Sequence, residues 1–162
     1  MPSKHSLSTR ILASALVFIQ FGSLAAITVL AIIDFSASYW AVNIGLIAIA
    51  GYLIFTAYKS LKPSLKVNPI PKEGSEFIQV GIYRRLRHPM YVAVLLYGFG
   101  AAGFSSNKAA IVICGILAIG IVIKAKLEDN LLLKAHPEAW AYQMSTPGFI
   151  PCRCENPIDK QL

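Results

Sequence analysis

The segment GIYRRLRHPMY, residues 81 to 91, concentrates side chains that could bind an anionic or planar ligand. Arg87 and His88 can donate hydrogen bonds to a carboxylate or a phosphate. Tyr83 and Tyr91 offer ring faces and hydroxyls, which suit a planar base or a cation. The same residue types also form basic and aromatic belts at membrane surfaces. From the residues alone, a binding site and such a belt are both consistent with this segment.

A second charged cluster, KAKLED at residues 124 to 129, follows an apolar run. Lys124 and Glu128 are one helical turn apart, so they share a helix face and could form either a solvated ion pair or a charged site facing segment 81–91. The sequence contains no H-x-x-x-H or C-x-x-C spacing, and Cys152 and Cys154 form a lone C-x-C without a second pair. We therefore predict no metal site and interpret these two cysteines as reduced thiols.

The composition indicates a membrane protein. The chain of 162 residues is 56% hydrophobic and only 14% charged, with a mean hydropathy of +0.58, whereas about one quarter of a soluble domain is charged. The net charge of +7 is therefore interpreted through membrane topology. No nucleic-acid-binding motif accompanies the charge, so the predicted partner is the lipid bilayer and not a nucleic acid.

Apolar segments separated by polar turns predict an all-α integral membrane protein with a single domain, residues 1–162. The first segment has 23 uncharged residues, or about 35 Å of helix, which is enough to cross the hydrocarbon core. The last two segments are shorter and predict a tight hairpin that either spans the bilayer or re-enters it. The four predicted spans are residues 11–33, 39–58, 90–106 and 109–123. Residues 59–89 form the predicted cytoplasmic loop, and residues 124–162 form a predicted cytoplasmic helix with a tail.

The segment GFGAAG, residues 98 to 103, matches the pattern G-x-G-x-x-G. A dinucleotide-binding fingerprint needs a preceding strand, and here the pattern lies inside an apolar helical segment. We therefore interpret it as close helix packing through small residues.

The basic residues predict the orientation. The N-terminal tail, the central loop with its flanks and the C-terminal region hold 14 of the 15 Lys and Arg residues, and Lys108 alone lies on the other side. Under the positive-inside rule both termini and the central loop are cytoplasmic.

The order of these motifs resembles the isoprenylcysteine carboxyl methyltransferase family, to which phospholipid N-methyltransferases are similar. Between residues 68 and 151, about half of the chain, the sequence contains four motifs in this order: GIYRRLRHPMY, a helical hairpin, an acidic pair and TPGFIP. The resemblance implies that S-adenosylmethionine binds at the cytoplasmic edge of the helices, between the central loop and the last helix, and that a lipophilic substrate enters from the bilayer.

The resemblance also implies roles for individual residues. Lys124 falls where the carboxyl methyltransferases place a substrate-facing arginine, and Asp129 stands in place of the family's second glutamate. Because lysine cannot reproduce the bidentate clamp of arginine on a carboxylate, a prenylcysteine carboxylate is not singled out as the substrate. Arg87 is suited by its charge to a polar end of the cofactor. The positions that match the family's cofactor-binding residues are Glu76, Phe77, Ile78, Tyr83, His88, Pro89, Met90, Tyr91 and Glu128.

The predicted function is methyl transfer from S-adenosylmethionine to a lipophilic or small membrane-accessible acceptor, whose nucleophile is a carboxylate, an amine or a thiol. Two alternatives stay open. Sterol reductases carry a related RHP-x-Y segment, so one alternative is an NADPH-dependent lipid or sterol reductase. The other is a non-catalytic membrane protein whose basic loop binds anionic lipid or a partner.

Overall fold

The computed structural model describes residues 7–61, 80–137 and 139–150. Within these ranges the chain forms α-helices and one 3₁₀ turn and contains no strand, which confirms the predicted all-α class. The predicted cofactor residues Glu76, Phe77 and Ile78 and the C-x-C pair at Cys152 and Cys154 lie outside the described residues. In chain order the elements are α1 (Leu7–Ile33), α2 (Trp40–Leu61), the 3₁₀ turn (Gly81–Arg84), α3 (Pro89–Ala102), α4 (Lys108–Ala135) and α5 (Ala139–Ser145).

Helices α1, α2 and α4 are each long and apolar enough to cross a membrane. Helix α3 is apolar but has only 14 residues, which is about 21 Å of helix against a hydrocarbon core of about 30 Å. It ends at Ala102, four residues before the predicted end of that span, because the chain turns away at Gly103 to bond with the α1–α2 connection. The prediction of a multi-pass, all-helical membrane protein is confirmed, with three long helices and one shorter helix.

Small residues allow the helices to approach closely. Helix α2 packs against α3, α1 packs against α4, and α3 contacts α4. A Cβ atom at Gly100 would lie 2.9 Å from the backbone oxygen of Asn43 on α2, and one at Gly98 would lie 2.7 Å from Leu117 Cδ2 on α4. Both glycines belong to GFGAAG, so this part of the structure agrees with the packing interpretation of that segment.

One end of the bundle is closed by bonds between its two connecting turns. The Ser36 N–H donates to the Phe104 oxygen at 2.7 Å, and the Ser106 N–H donates to the Asp34 oxygen at 2.9 Å. The Asn107 side-chain amide donates to the Asp34 carboxylate at 3.0 Å. We call this region, Asp34–Ser36 with Phe104–Asn107, the turn clasp. Since the helices alternate in direction, segment 81–91 and the charged cluster 124–129 lie at the opposite end.

Candidate functional site

The start of α3 fixes the RHP part of the site. His88 is the N-cap residue of α3 and Pro89 follows at its first turn, where the missing proline N–H is not needed. The Arg87 N–H donates to the Pro147 oxygen at 2.9 Å, and the His88 N–H donates to the Gly148 oxygen at 3.1 Å. These two backbone bonds bring the segment that follows α5 alongside the entrance to α3.

Asp129 connects α4 to both basic side chains of this entrance. One of its carboxylate oxygens accepts from Arg87 Nη1 at 2.9 Å, and the other lies 3.0 Å from His88 Nε2. The backbone oxygen of Asp129 also accepts a hydrogen bond from the Gln143 side chain of α5 at 3.0 Å. Hydrogen bonds between charged groups are stronger than neutral ones. Asp129 therefore fixes the Arg87 and His88 side chains relative to α4 and α5.

Glu128 is placed differently from its neighbour. Its Oε2 atom lies 3.7 Å from His88 Nδ1, and its side chain is 40% exposed, whereas the His88 side chain is 6% exposed. Both oxygens of Asp129 are taken by Arg87 and His88, but the Glu128 carboxylate remains accessible at the rim. Of the two adjacent carboxylates, Glu128 is therefore the one that a ligand can reach.

Aromatic rings surround the histidine. The His88 ring stacks on Tyr91 with centroids 5.3 Å apart and planes at 15°, and Phe149 lies 5.8 Å away on a tilted plane. The Tyr142 hydroxyl donates to the Tyr83 backbone oxygen at 2.6 Å. Burial raises the pKa of the Tyr83 hydroxyl well above its ordinary value, and the negative charge of Glu128 raises it further. This hydroxyl therefore stays protonated and can serve as a hydrogen-bond donor.

Lys124 lies deeper in the bundle than the carboxylates. Its residue is only 1% exposed, and its ammonium donates to the side-chain oxygen of Gln20 on α1 at 2.7 Å. The same ammonium is 5.2 Å from the centroid of the Tyr91 ring, within the range of a cation–π contact. The solvated ion pair with Glu128, one of the two interpretations of this cluster, is not what the structure contains.

Two buried polar atoms at this end have no hydrogen-bond partner within the described ranges, Arg87 Nε and Thr146 Oγ1. Buried polar groups without partners are rare and unfavourable in native proteins. Both atoms belong to the segments joined by the backbone bonds of Arg87 and His88. They identify this junction as a place where a polar ligand could complete the hydrogen bonding.

The structure gathers most of the residues singled out from the sequence. Tyr83, Arg87, His88, Tyr91 and Glu128 meet at one end of α3 and α4. Pro89 is buried and Met90 partly buried in the first turn of α3, and Lys124 contacts the site through Tyr91. The described residues contain no group of three His, Cys, Asp or Glu side chains placed to hold a metal ion.

Sequence reasoning assigned no binding or positioning role to several residues that line or support the site. Asp129 was noted only as a replacement for a glutamate. Gln20 is the one amide side chain in the first apolar segment, and this was the signal that could have identified it. The remaining residues of this kind are Tyr142, Gln143, Thr146 and Phe149.

An all-helical membrane domain with a charged and aromatic site at one end of the bundle agrees with the family comparison. The phospholipid methyltransferase family matches residues 38–139, and the chain belongs to this family. The match begins before α2 and reaches the first residue of α5, so α1 lies outside it. The resemblance to membrane methyltransferases stated from the sequence is confirmed.

Two curated proteins are similar to part of the chain. The nickel-cobalt-cadmium resistance protein NccN of Alcaligenes xylosoxydans xylosoxydans is 30% identical over 84 residues, which cover 49% of this chain and 38% of that protein. The cobalt-zinc-cadmium resistance protein CzcN of Cupriavidus metallidurans is 29% identical over 84 residues, with the same coverage of 49% and 38%. The chain thus matches less than half of the length of either relative. No solved structure matches it.

Proposed function

We propose that the chain is a membrane methyltransferase that uses S-adenosylmethionine and methylates a lipophilic or small membrane-accessible acceptor. The nucleophile of that acceptor is a carboxylate, an amine or a thiol. Family membership supports methyl transfer. The observation that carries the proposal is the accessible Glu128 carboxylate beside the buried, Asp129-bound His88 and the Tyr91 ring.

The chemistry of the site fits the cofactor. S-adenosylmethionine carries a sulfonium, an ammonium, a carboxylate, ribose hydroxyls and a planar base. Glu128 is suited to accept hydrogen bonds from the ammonium or the hydroxyls. Arg87 has an N–H, without a partner in the described part of the chain, that suits an anionic oxygen. The faces of Tyr83 and Tyr91 are suited to a cation or a planar base. Glu76, Phe77, Ile78, Pro89 and Met90 complete the proposed cofactor-binding set through the family resemblance.

The protein's part in the reaction is mainly alignment. S-adenosylmethionine supplies an activated methyl group, and holding an acceptor in line with it converts an encounter into an intramolecular step. Asp129 holds the Arg87 and His88 side chains, and the Tyr91 and Phe149 rings pack against the buried His88 ring. A carboxylate or thiolate acceptor needs no general base, whereas an ammonium must first lose a proton. In this proposal Lys124 lies on the acceptor side of Tyr91.

The names of the two relatives refer to metal resistance in the proteins that carry them, and the acceptor proposed here does not depend on those names. The proposed arrangement in the cell has both termini and the site on the cytoplasmic face. This follows from the partition of basic residues.

Calorimetric titration of the detergent-purified protein tests the proposal. We expect S-adenosylmethionine and S-adenosylhomocysteine to bind and NADPH not to bind. Glu128→Gln should weaken S-adenosylhomocysteine binding, because the amide loses the charge and one acceptor. Arg85→Ala is the matched control, since Arg85 is exposed on the same basic segment, and it should leave the affinity unchanged.

Two results would contradict the proposal. Binding of NADPH without binding of either sulfur cofactor would favour the reductase alternative. Absence of binding by all three, with tight binding to vesicles of anionic lipid that falls in Arg85→Ala but does not fall in Glu128→Gln, would favour the non-catalytic alternative.

A further inference from the structure

Lys124 and Glu128 have the spacing and charges of a helix ion pair, but the Lys124 ammonium is hydrogen-bonded to another helix. Opposite charges at positions i and i+4 normally attract each other on a helix surface. Within the described residues no ion pair joins these two side chains, and Glu128 instead faces His88 at 3.7 Å. The Lys124 ammonium donates to Gln20 at 2.7 Å. An interaction between α1 and α4 has taken the place of the local pair.

Gln20 is well placed to keep the ammonium there. It is 7% exposed and Lys124 is 1% exposed, so the bond lies in an apolar part of the bundle where an unpaired ammonium would be very unfavourable. The Tyr91 ring, 5.2 Å from the ammonium, provides a second contact. Without the Gln20 amide oxygen, the long and flexible Lys124 side chain would be drawn by electrostatic attraction towards the Glu128 carboxylate, one turn along the same helix.

We infer that Gln20 is a positioning residue, which holds the Lys124 ammonium away from Glu128 and so keeps the Glu128 carboxylate available to a ligand. The inference rests on the proposed function in one respect, namely that the ligand is the cofactor. Gln20 belongs to α1, which lies outside the residues matched by the family. In this inference the first helix contributes to the site through Lys124.

The test compares S-adenosylhomocysteine binding by calorimetry in the full-length protein, Gln20→Leu, Lys124→Met and the double variant. Gln20→Leu should raise the Kd roughly twofold to tenfold, between the effect of an exposed helix ion pair and that of a hydrogen bond to a charged group. The double variant should have the Kd of Lys124→Met, because no ammonium remains to be held. Should Gln20→Leu fail to fold, Gln20→Asn replaces it, since it keeps the amide but withdraws the acceptor by one methylene.

Two further variants separate positioning from packing. Gln20→Glu keeps an acceptor for the ammonium and should retain the original Kd. Ser23→Ala removes another buried polar group of α1 and should also leave the Kd unchanged. An unchanged Kd in Gln20→Leu would overturn the inference, as would a loss of equal size in the presence and absence of Lys124.

A measurement without cofactor distinguishes failure of this inference from failure of the proposed function. The coupling between Lys124→Met and Glu128→Gln is measured from SDS-induced unfolding midpoints, followed by circular dichroism. The stabilising coupling should be weaker when Gln20 is present than when Gln20→Leu is added. Absence of S-adenosylhomocysteine binding by the unmodified protein would refute the proposed function only. Equal coupling in both backgrounds would refute the role of Gln20 whatever the cofactor.

Discussion

The two ends of the helix bundle are held together by different kinds of contact. At the turn clasp, Ser36 and Ser106 form backbone hydrogen bonds across the two connections, and the Phe35 and Phe104 rings stack with centroids 5.8 Å apart. At the opposite end, the side chains of Asp129, Arg87 and His88 make the connection between α3 and α4. The clasp therefore depends largely on backbone geometry, whereas the site depends on the identity of a few charged side chains.

The two ends also differ in how completely their polar groups are hydrogen-bonded. Asn107 caps α4 by accepting from the Ala109 N–H at 2.9 Å and also donates to Asp34. At the site, by contrast, Arg87 Nε and Thr146 Oγ1 are buried and have no hydrogen-bond partner among the residues that the structure describes. An end with unmet hydrogen bonds is the end where binding can contribute most free energy. Substitutions should accordingly affect ligand binding at one end and have small effects on stability at the other.

The largest effect concerns which end faces the cytoplasm, because a topology reporter gives an all-or-none signal. Among the Lys and Arg residues that the structure describes, Lys108 alone lies at the clasp end, so that end should be outside. Reporter fusions at Ser38 and Asn107 should report the outside, and a fusion after Leu162 should report the cytoplasm. A C-terminal fusion that reports the outside would separate the proposed site from cytoplasmic cofactor.

The next largest effect is expected for Asp129→Asn. The amide keeps one acceptor but loses the charge shared by Arg87 and His88, so the free energy of unfolding should fall by about 1.5–3 kcal/mol, the range for hydrogen bonds to charged groups. SDS unfolding followed by circular dichroism measures the change. Asn130→Ala, at the neighbouring exposed position, is the control. Equal stability of the two variants would mean that Asp129 does not hold this end of the bundle.

The middle of the bundle provides a reference between the two ends. Gly100→Val places side-chain atoms against the backbone of Asn43, which a Cβ would already approach to 2.9 Å, and overpacking of this kind costs about 1–3 kcal/mol. Gly115→Val is the matched control because nothing lies within 4 Å of the position of its Cβ. The unfolding midpoint should fall for the first variant only. A similar fall for both would mean that the close approach of Gly100 to Asn43 is not the cause, since valine has a higher helix propensity than glycine at either position.

The helical membrane fold could be predicted because uncharged runs of sufficient length leave the backbone few alternatives in lipid. The end of α3 could not, since it is set by the bond from the Ser36 N–H to the Phe104 oxygen, between residues far apart in the sequence. The packing interpretation of GFGAAG agrees with the structure, because the pattern lies inside an apolar helix and does not follow a strand. Local pattern therefore determined the kind of element, and tertiary contacts determined one of its boundaries.

The site was only partly predictable for the same reason. His88 and Glu128 were selected by residue type and by family resemblance. The carboxylate bound most closely to His88 is nevertheless that of Asp129, 41 positions away in sequence, and the partner of Lys124 is 104 positions away on α1. Spacing on one helix allowed a Lys124–Glu128 pair, and in the structure the Lys124 ammonium is bonded to another helix instead. Such competition between a local and a distant partner cannot be decided without the fold.

The smallest effect is expected at the clasp, for Asp34→Ala. The substitution removes the carboxylate that accepts from the Asn107 amide at 3.0 Å but leaves the backbone oxygen of residue 34 to accept from Ser106. An exposed hydrogen bond of this kind contributes about 0.5–1 kcal/mol, so the unfolding midpoint should fall slightly and the Kd for S-adenosylhomocysteine should not change. Calorimetry and SDS unfolding on the same preparation measure both quantities, with Lys108→Ala at the exposed first residue of α4 as the control. A loss of affinity in Asp34→Ala would show that the two ends are energetically coupled through the helices, because the clasp makes no contact with the site. A loss of stability as large as that of Asp129→Asn would contradict the distinction between an end held by backbone bonds and an end held by side-chain charges.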